Sequence, residues 1–452
     1  MKRALLLGAA ATALLVPASA AAHGLSGPID PPVPRWLFYY GGAIVLILSF
    51  AALGALWRRP VLAQAAAGTP LPGRLQRVLL SGPLHLVLKA VSFGLLVFLV
   101  IACFAGDPVI NLAPPFVYIA FWLGVPLLVV LFGNVWAVLN PWAAVMPERR
   151  PLFTYPERLG RWPAAALLFL FTAFELAYSN PADPRMLGIA IVLYSVITWY
   201  GMFLFGRDVW LANGEAFSVY FGLLAGLAPF GREEGRIVAR WPLAGLATAT
   251  SRPGTLAFVA VMLGSVSFDG LSRTSFWLRW RYDATVSSPE YGDLLATGLN
   301  VIGLLLMIEA VALTYLLAIG VARQFVQRDD LEEAFVFSLV PIAFAYVVAH
   351  YFSSAVIQGQ LLVTRISDPL GRGWDLFGTA DFRQDIGVLS PNAIWYVQVG
   401  ALVVGHVLGL VLAHDRAIGL IPSRSGALRT QYALLGLMIL YTVGGMWLLS
   451  QG

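Results

Sequence analysis

The chain is poor in cysteine, histidine and charge. Its 452 residues hold one cysteine, five histidines and only 12% Asp, Glu, Lys and Arg. A single thiol, Cys103, excludes an intrachain disulfide and a Cys-rich metal site, and its place inside an apolar run makes it a small core residue. There is no Walker loop, dinucleotide fingerprint, HExxH pair, nucleophile elbow or heptad repeat, which removes the common ATP-driven, zinc-protease and serine-hydrolase readings. The basic residues are scattered through short segments, so no patch suits nucleic acid.

What the chain does have is apolar length. Hydrophobic residues make up 59% of it and the mean hydropathy is +0.78, far from a water-soluble globule. Runs long enough to cross a bilayer occur near 36–57, 84–105, 114–139, 163–180, 186–206, 254–270, 293–322, 333–357, 393–413 and 428–449. Backbone polar groups cannot stay unpaired in hydrocarbon, and no alternating pattern of a membrane barrel is present, so these runs predict helices. The expected fold is all-α: a polytopic membrane protein with about ten transmembrane helices, forming a single domain over residues 23–452. Ahead of it, Met1-Lys2-Arg3, an apolar stretch to Val16 and small residues to Ala22 read as a signal peptide over 1–22, with cleavage after Ala20 or Ala22.

Orientation follows from arginine. With the mature N-terminus outside a bacterial cytoplasmic membrane, the inward loops 58–83, 140–162, 207–253, 323–332 and 414–430 hold 18 Arg against 8 in the outward segments, as the positive-inside rule requires, and the C-terminus is also outside. Trp36, Tyr39, Tyr40, Trp142, Trp199, Tyr200, Trp395 and Tyr396 cluster at span ends and are expected to anchor at headgroup level. Two connections are longer than plain linkers. The inward segment 207–253 contains an apolar stretch too short for a span, which either lies along the interface or re-enters. The outward loop 358–392 is rich in turn residues and charges, and is either a lid or binding loop or an ordinary solvated one.

Ionisable groups inside hydrocarbon cost at least a few kcal/mol each, so they are the first candidates for function. Asp269 lies near the outer end of the sixth run, Glu309 near the middle of the seventh, His350 in the outer half of the eighth and His406 in the inner half of the ninth. The alternative for each is a polar group that only joins helices. Glu175 and Lys89, near span ends, are expected to snorkel, and His414-Asp415-Arg416 reads as a cationic helix end. Small residues recur at Ala401, Gly405, Gly409 and Ala413, and at Ala345, Ala349 and Ser353, predicting close approach of the two helices beside His350 and His406. By helical rise, Asp269 and His350 sit roughly 5–10 Å below the outer surface and Glu309 and His406 about 20–24 Å below it. One divalent metal held by His350, His406, Asp269 and Glu309 would have to close a gap of roughly 10 Å, whereas either layer alone could bind a metal, or the column could relay protons.

The segments VSFDGLSRT (266–274), AHYFS (349–353), SDPLGRGWDLFGT (367–379), VQVGALVVGH (397–406) and AHDRA (413–417) together resemble a family of bacterial polytopic membrane proteins labelled fenitrothion hydrolase. The resemblance spans most of the chain. It implies hydrolysis of an organophosphorothioate triester with release of a nitrophenol, and carries no catalytic assignment with it. The residues suit such chemistry: an apolar triester partitions into the bilayer, where a His/Asp site can activate water, alone or through a metal. Asp269 and His350 are then the expected base or metal ligands, with Asp368, Arg372, Trp374 and Asp375 closing over the substrate. Two other classes stay open, a proton- or metal-linked transporter using the same intramembrane residues and a non-catalytic assembly protein.

Overall fold

Apolar runs longer than the hydrocarbon core leave the backbone no partner but itself, and the chain coils accordingly. The computed structural model describes residues 34–287 and 289–451, so the expected signal peptide over 1–22 lies outside the described residues. It is 74% helical, and ten helices are long and apolar enough to span a membrane. In chain order these are Arg35–Leu56, Gly73–Ala105, Ala113–Phe132, Glu157–Leu176, Pro184–Phe205, Thr255–Ser272, Gly292–Arg323, Leu331–Ser367, Pro391–Leu420 and Arg424–Leu449, here the first to tenth spans. This is a multi-pass membrane protein. Each span overlaps the run that the sequence places there, but the second begins earlier, at Gly73, the third stops at Phe132 and the ninth runs on to Leu420, and the eighth continues in helical form to Ser367, so the loop after it begins at Asp368 instead of 358.

After ten crossings both described ends lie on one face of the bundle, where the Tyr39 hydroxyl meets Ser450 Oγ at 3.2 Å. We call this the terminal face. At the opposite face Arg424 donates to the Gly54 carbonyl.

The sixth and eighth spans are the most buried and form the centre, while the first and second are peripheral. Close packing here depends on missing side chains. A Cβ on Gly264 would stand 2.7 Å from Ile308 Cα on the seventh span. A Cβ on Gly405 would meet the Ala345 methyl, and one on Gly409 would lie 2.6 Å from the Ser338 carbonyl. The eighth and ninth spans thus join along the small-residue seam that their spacing predicts.

Of the two alternatives for segment 207–253, its apolar stretch takes the re-entrant one. Helices Arg207–Asn213 and Ala216–Leu224 turn back on each other through Gly214, and the second is buried among the third, fourth and eighth spans, so it re-enters the bundle. The Trp210 ring fills the space that a Cβ on Gly201 or Gly214 would need. The chain then forms an antiparallel hairpin, Phe230–Glu233 with Arg236–Ala239, turning at Glu234 and Gly235, both at positive φ. Thr69–Pro70 adds a third short strand beside Arg236–Ala239. Of the expected interface aromatics, Trp36, Tyr40, Tyr200 and Tyr396 are exposed. Trp142 and Trp395 are instead buried, because Trp142 donates to Ser195 Oγ at 2.8 Å and Trp395 packs on Phe38.

Candidate functional site

Near its end at the terminal face, the sixth span presents Asp269 to the eighth. The glycine that follows, Gly270, leaves room for Tyr346, whose hydroxyl would be 3.3 Å from a Cβ there. One turn further along the eighth span, His350 Nε2 lies 2.8 Å from Asp269 Oδ2. Arg273, one turn after Asp269, donates to Oδ1 at 3.4 Å, and the Tyr351 hydroxyl donates to the same carboxylate. The side chains of Asp269 and His350 are 4% and 6% exposed and that of Arg273 is 28% exposed, so the guanidinium reaches the edge while the pair stays inside. Tyr351 stands edge-on to the imidazole at 4.8 Å between ring centroids. A buried carboxylate is tolerable only when donors replace its water, and here an imidazole, a guanidinium and a phenol do so.

The structure brings together Asp269 and His350 but not the whole set suggested as metal ligands. Glu309 lies on the exposed face of the seventh span, turned away from the centre. His406 is buried with Nδ1 2.8 Å from the Leu402 carbonyl of its own helix, and its Nε2 has no partner among the described residues. Among the described residues no group of three or more His, Cys, Asp or Glu stands where a metal ion could be held. Asp269 and His350 are also bonded to each other, so this pair by itself does not supply the donor set that a divalent ion would need.

Glu175 corrects the sequence reading in the other direction. Expected to snorkel, it is buried at 4% exposure on the fourth span, accepts from the Trp122 indole N–H, and stands close enough to Asp269 for the two charges to interact. Phe171, on the same helical face, packs against Trp122 at 4.7 Å between ring centroids and seals that side. His414-Asp415-Arg416 is likewise no solvated helix end. His414 and Asp415 are buried, Asp415 holding the backbone N–H groups of Val61, Leu62 and Ala63, and Arg416 donates to the carbonyls of Ala334, Leu246 and Ala249.

A further buried acid, Glu215, escaped the sequence reading. It caps the re-entrant helix by accepting from Phe217 N at 2.9 Å and Ser218 N at 2.7 Å, and it also accepts from Asn140 Nδ2 and the Tyr194 hydroxyl. So many donors make it a structural cap. Its signal in the sequence was an acid directly after Asn213-Gly214 and before an apolar run, a helix start. Asn140 likewise caps a helix start, Pro141–Val145, by accepting from Ala143 N at 3.0 Å.

The loop after the eighth span is docked on the turn between the second and third. Asp107 N donates to the Leu370 carbonyl at 2.8 Å and Leu112 N to the Pro369 carbonyl at 3.1 Å. Asp368 accepts from the amides of Arg372 and Gly373 at 2.9 and 2.8 Å, and Asp375 accepts from Ser367 Oγ and Ala380 N. Arg372 donates to the Ala105 carbonyl and lies 6.0 Å from the centre of the Trp374 ring. In this arrangement Asp368, Arg372, Trp374 and Asp375, the expected substrate contacts, shape the loop and fasten it. Partial burial pushes Asp368 up, but the amides of Arg372, Gly373, Trp374 and Gly371 outweigh it and hold the carboxyl below the usual range.

No family model, curated protein or solved structure matches the chain. Function therefore rests on the chemistry of the site.

Proposed function

We propose that the protein is a membrane-embedded hydrolase of an apolar phosphorus triester, with Asp269 and His350 as its catalytic pair. The observation that carries this reading is the 2.8 Å contact that two different spans deliver to one buried point near the terminal face. With Asp269 as the acceptor of this contact, His350 Nε2 carries the ring hydrogen, which leaves the lone pair on Nδ1. Nδ1 then takes a proton from water as its oxygen attacks phosphorus. The bond from phosphorus to the aryl oxygen breaks, nitrophenolate leaves with the electron pair, and the imidazolium later returns its proton to solvent. Asp269 holds the tautomer and offsets the imidazolium charge. The terminal face is the outward face of a bacterial cytoplasmic membrane in this reading, supported by the 18 to 8 excess of arginine in segments at the other face. The residues that the resemblance to the fenitrothion hydrolase family rests on include both members of the pair.

The test is nitrophenol release from fenitrothion by the purified protein in detergent. His350→Ala and Asp269→Asn are each expected to lower turnover roughly 10²–10⁴-fold, the usual range for a lost general base. Turnover that survives both changes, or none in the wild type, overturns the proposal.

A second reading, a proton-linked transporter, is favoured by Glu175 beside Asp269, since two buried acids with a histidine form a protonation site. It predicts pH-driven flux in sealed vesicles that Glu175→Gln abolishes, with no phenol release.

A further inference from the structure

A cavity of about 510 Å³ opens among the second, third, fourth and fifth spans and the re-entrant helix. Its walls run from Leu88 to Leu99 on the second span and from Leu187 to Ile197 on the fifth. At the rise of an α-helix this is about 15 Å along the bundle axis. The cavity is thus long and parallel to the direction in which lipid chains lie. One end is close to the terminal face, three residues inside the start of the fifth span at Pro184.

The walls offer almost nothing to a polar ligand. The Ser92 hydroxyl is taken by the Leu139 carbonyl, the Tyr194 hydroxyl by Glu215, and the Trp142 N–H by Ser195. The Trp136 N–H, buried and without a partner among the described residues, is the one donor of these wall side chains left unengaged. Val91, Leu170 and Leu193 border the cavity and are also exposed on the flank of the bundle, so the mouth opens to hydrocarbon and not to water. Space of this size left empty inside a packed bundle is costly, and its volume lies in the range of ordinary ligand sites.

We propose that this cavity is a binding site for one acyl chain of a membrane phospholipid, its headgroup at the terminal face and its chain lying between the second and fifth spans. The site is separate from Asp269 and His350 and does not rest on their catalytic reading. Length, axial direction, a lateral mouth and walls whose hydrogen-bonding groups, but for the buried Trp136 N–H, are already engaged select a hydrocarbon chain that arrives sideways from the bilayer.

The test uses the full-length protein in phosphatidylethanolamine and phosphatidylglycerol vesicles carrying a trace of phospholipid with a diazirine in its acyl chain. After photolysis and digestion, label is expected to be several-fold richer on peptides containing Leu95 and Ile191 than on the exposed seventh-span residues Leu306, Leu313 and Leu317. Filling the cavity by Ala190→Phe or, separately, Ala120→Leu should remove that enrichment and leave seventh-span labelling unchanged. Equal labelling of cavity and seventh span in the wild type overturns the proposal, whether or not either variant folds. Enrichment with a free diazirine alkane but not with the phospholipid probe also overturns it, since the occupant would then be a dissolved solute.

Discussion

The carboxylate of Asp269 and the imidazole of His350, 81 residues apart in the chain, meet at 2.8 Å inside the bundle. Each compensates the other for lost water, which ties the chemistry of the site to the packing of the sixth and eighth spans.

Removing one side of that pair should therefore be felt in stability as well as in turnover. Asp269→Ala leaves the buried His350 and the Tyr351 hydroxyl without their shared acceptor, and is expected to cost about 3 kcal/mol. Asp269→Asn retains the shape and one acceptor oxygen and should cost less than half as much. Equilibrium unfolding in mixed detergent micelles measures both, and equal losses would mean that the carboxylate's hydrogen bonds contribute little.

A second prediction concerns the opposite face. Asp415 accepts from Val61 N at 2.7 Å, Leu62 N at 3.1 Å, Ala63 N at 3.3 Å and the Trp57 indole at 2.9 Å, joining the ninth span to the chain that follows the first. Asp415→Ala should lower stability by about 2 kcal/mol through the lost cap and stranded donors. It should also expose the 58–72 connection to protease, and wild-type cleavage rates in that connection would show that the cap does not hold it.

The small-residue seam makes a contrast within one helix. Gly405→Val has no room beside Ala345 and should cost about 1–3 kcal/mol by overpacking. Gly400→Ala, with nothing within 4 Å of the new Cβ, should be neutral or raise stability by about 0.5 kcal/mol. Melting temperatures of the two variants in one detergent decide the point, and a seam that accepts valine would mean that the two spans separate readily.

The loop that begins at Asp368 should respond to acid. Its folded carboxyl titrates below the unfolded value of about 3.9, because amide donors outweigh partial burial. The contribution is therefore complete above the unfolded value and is lost as pH falls through the folded one. Hydrogen exchange at the Arg372 and Gly373 amides should be slow near pH 6, after correction for intrinsic rates, and accelerate below about pH 4. Asp368→Asn should flatten that profile, and protection independent of pH in the wild type would exclude the carboxylate as its source.

Much of this protein was legible in its sequence. Ten spans follow from apolar length, because a backbone in hydrocarbon has few other options. The seam at Ala401, Gly405, Gly409 and Ala413 was readable because small residues one turn apart must share a helix face. Asp269 and His350 stood out as ionisable residues in apolar runs. The same signal pointed equally to Glu309, which faces outward, and missed Glu175, which faces in. A single charged residue in a uniformly apolar helix has no local periodicity to show which way it points, and the rotation of a span about its own axis is set by its neighbours. Asp415 illustrates the same division: its sequence neighbours suggest a solvated helix end, while the four donors that bury it come from residues more than 350 positions away. Composition thus determined that the chain crosses a membrane and roughly where. Only the packing of the spans decided which polar side chains meet, because burial and pairing belong to the surfaces between helices and not to any one of them.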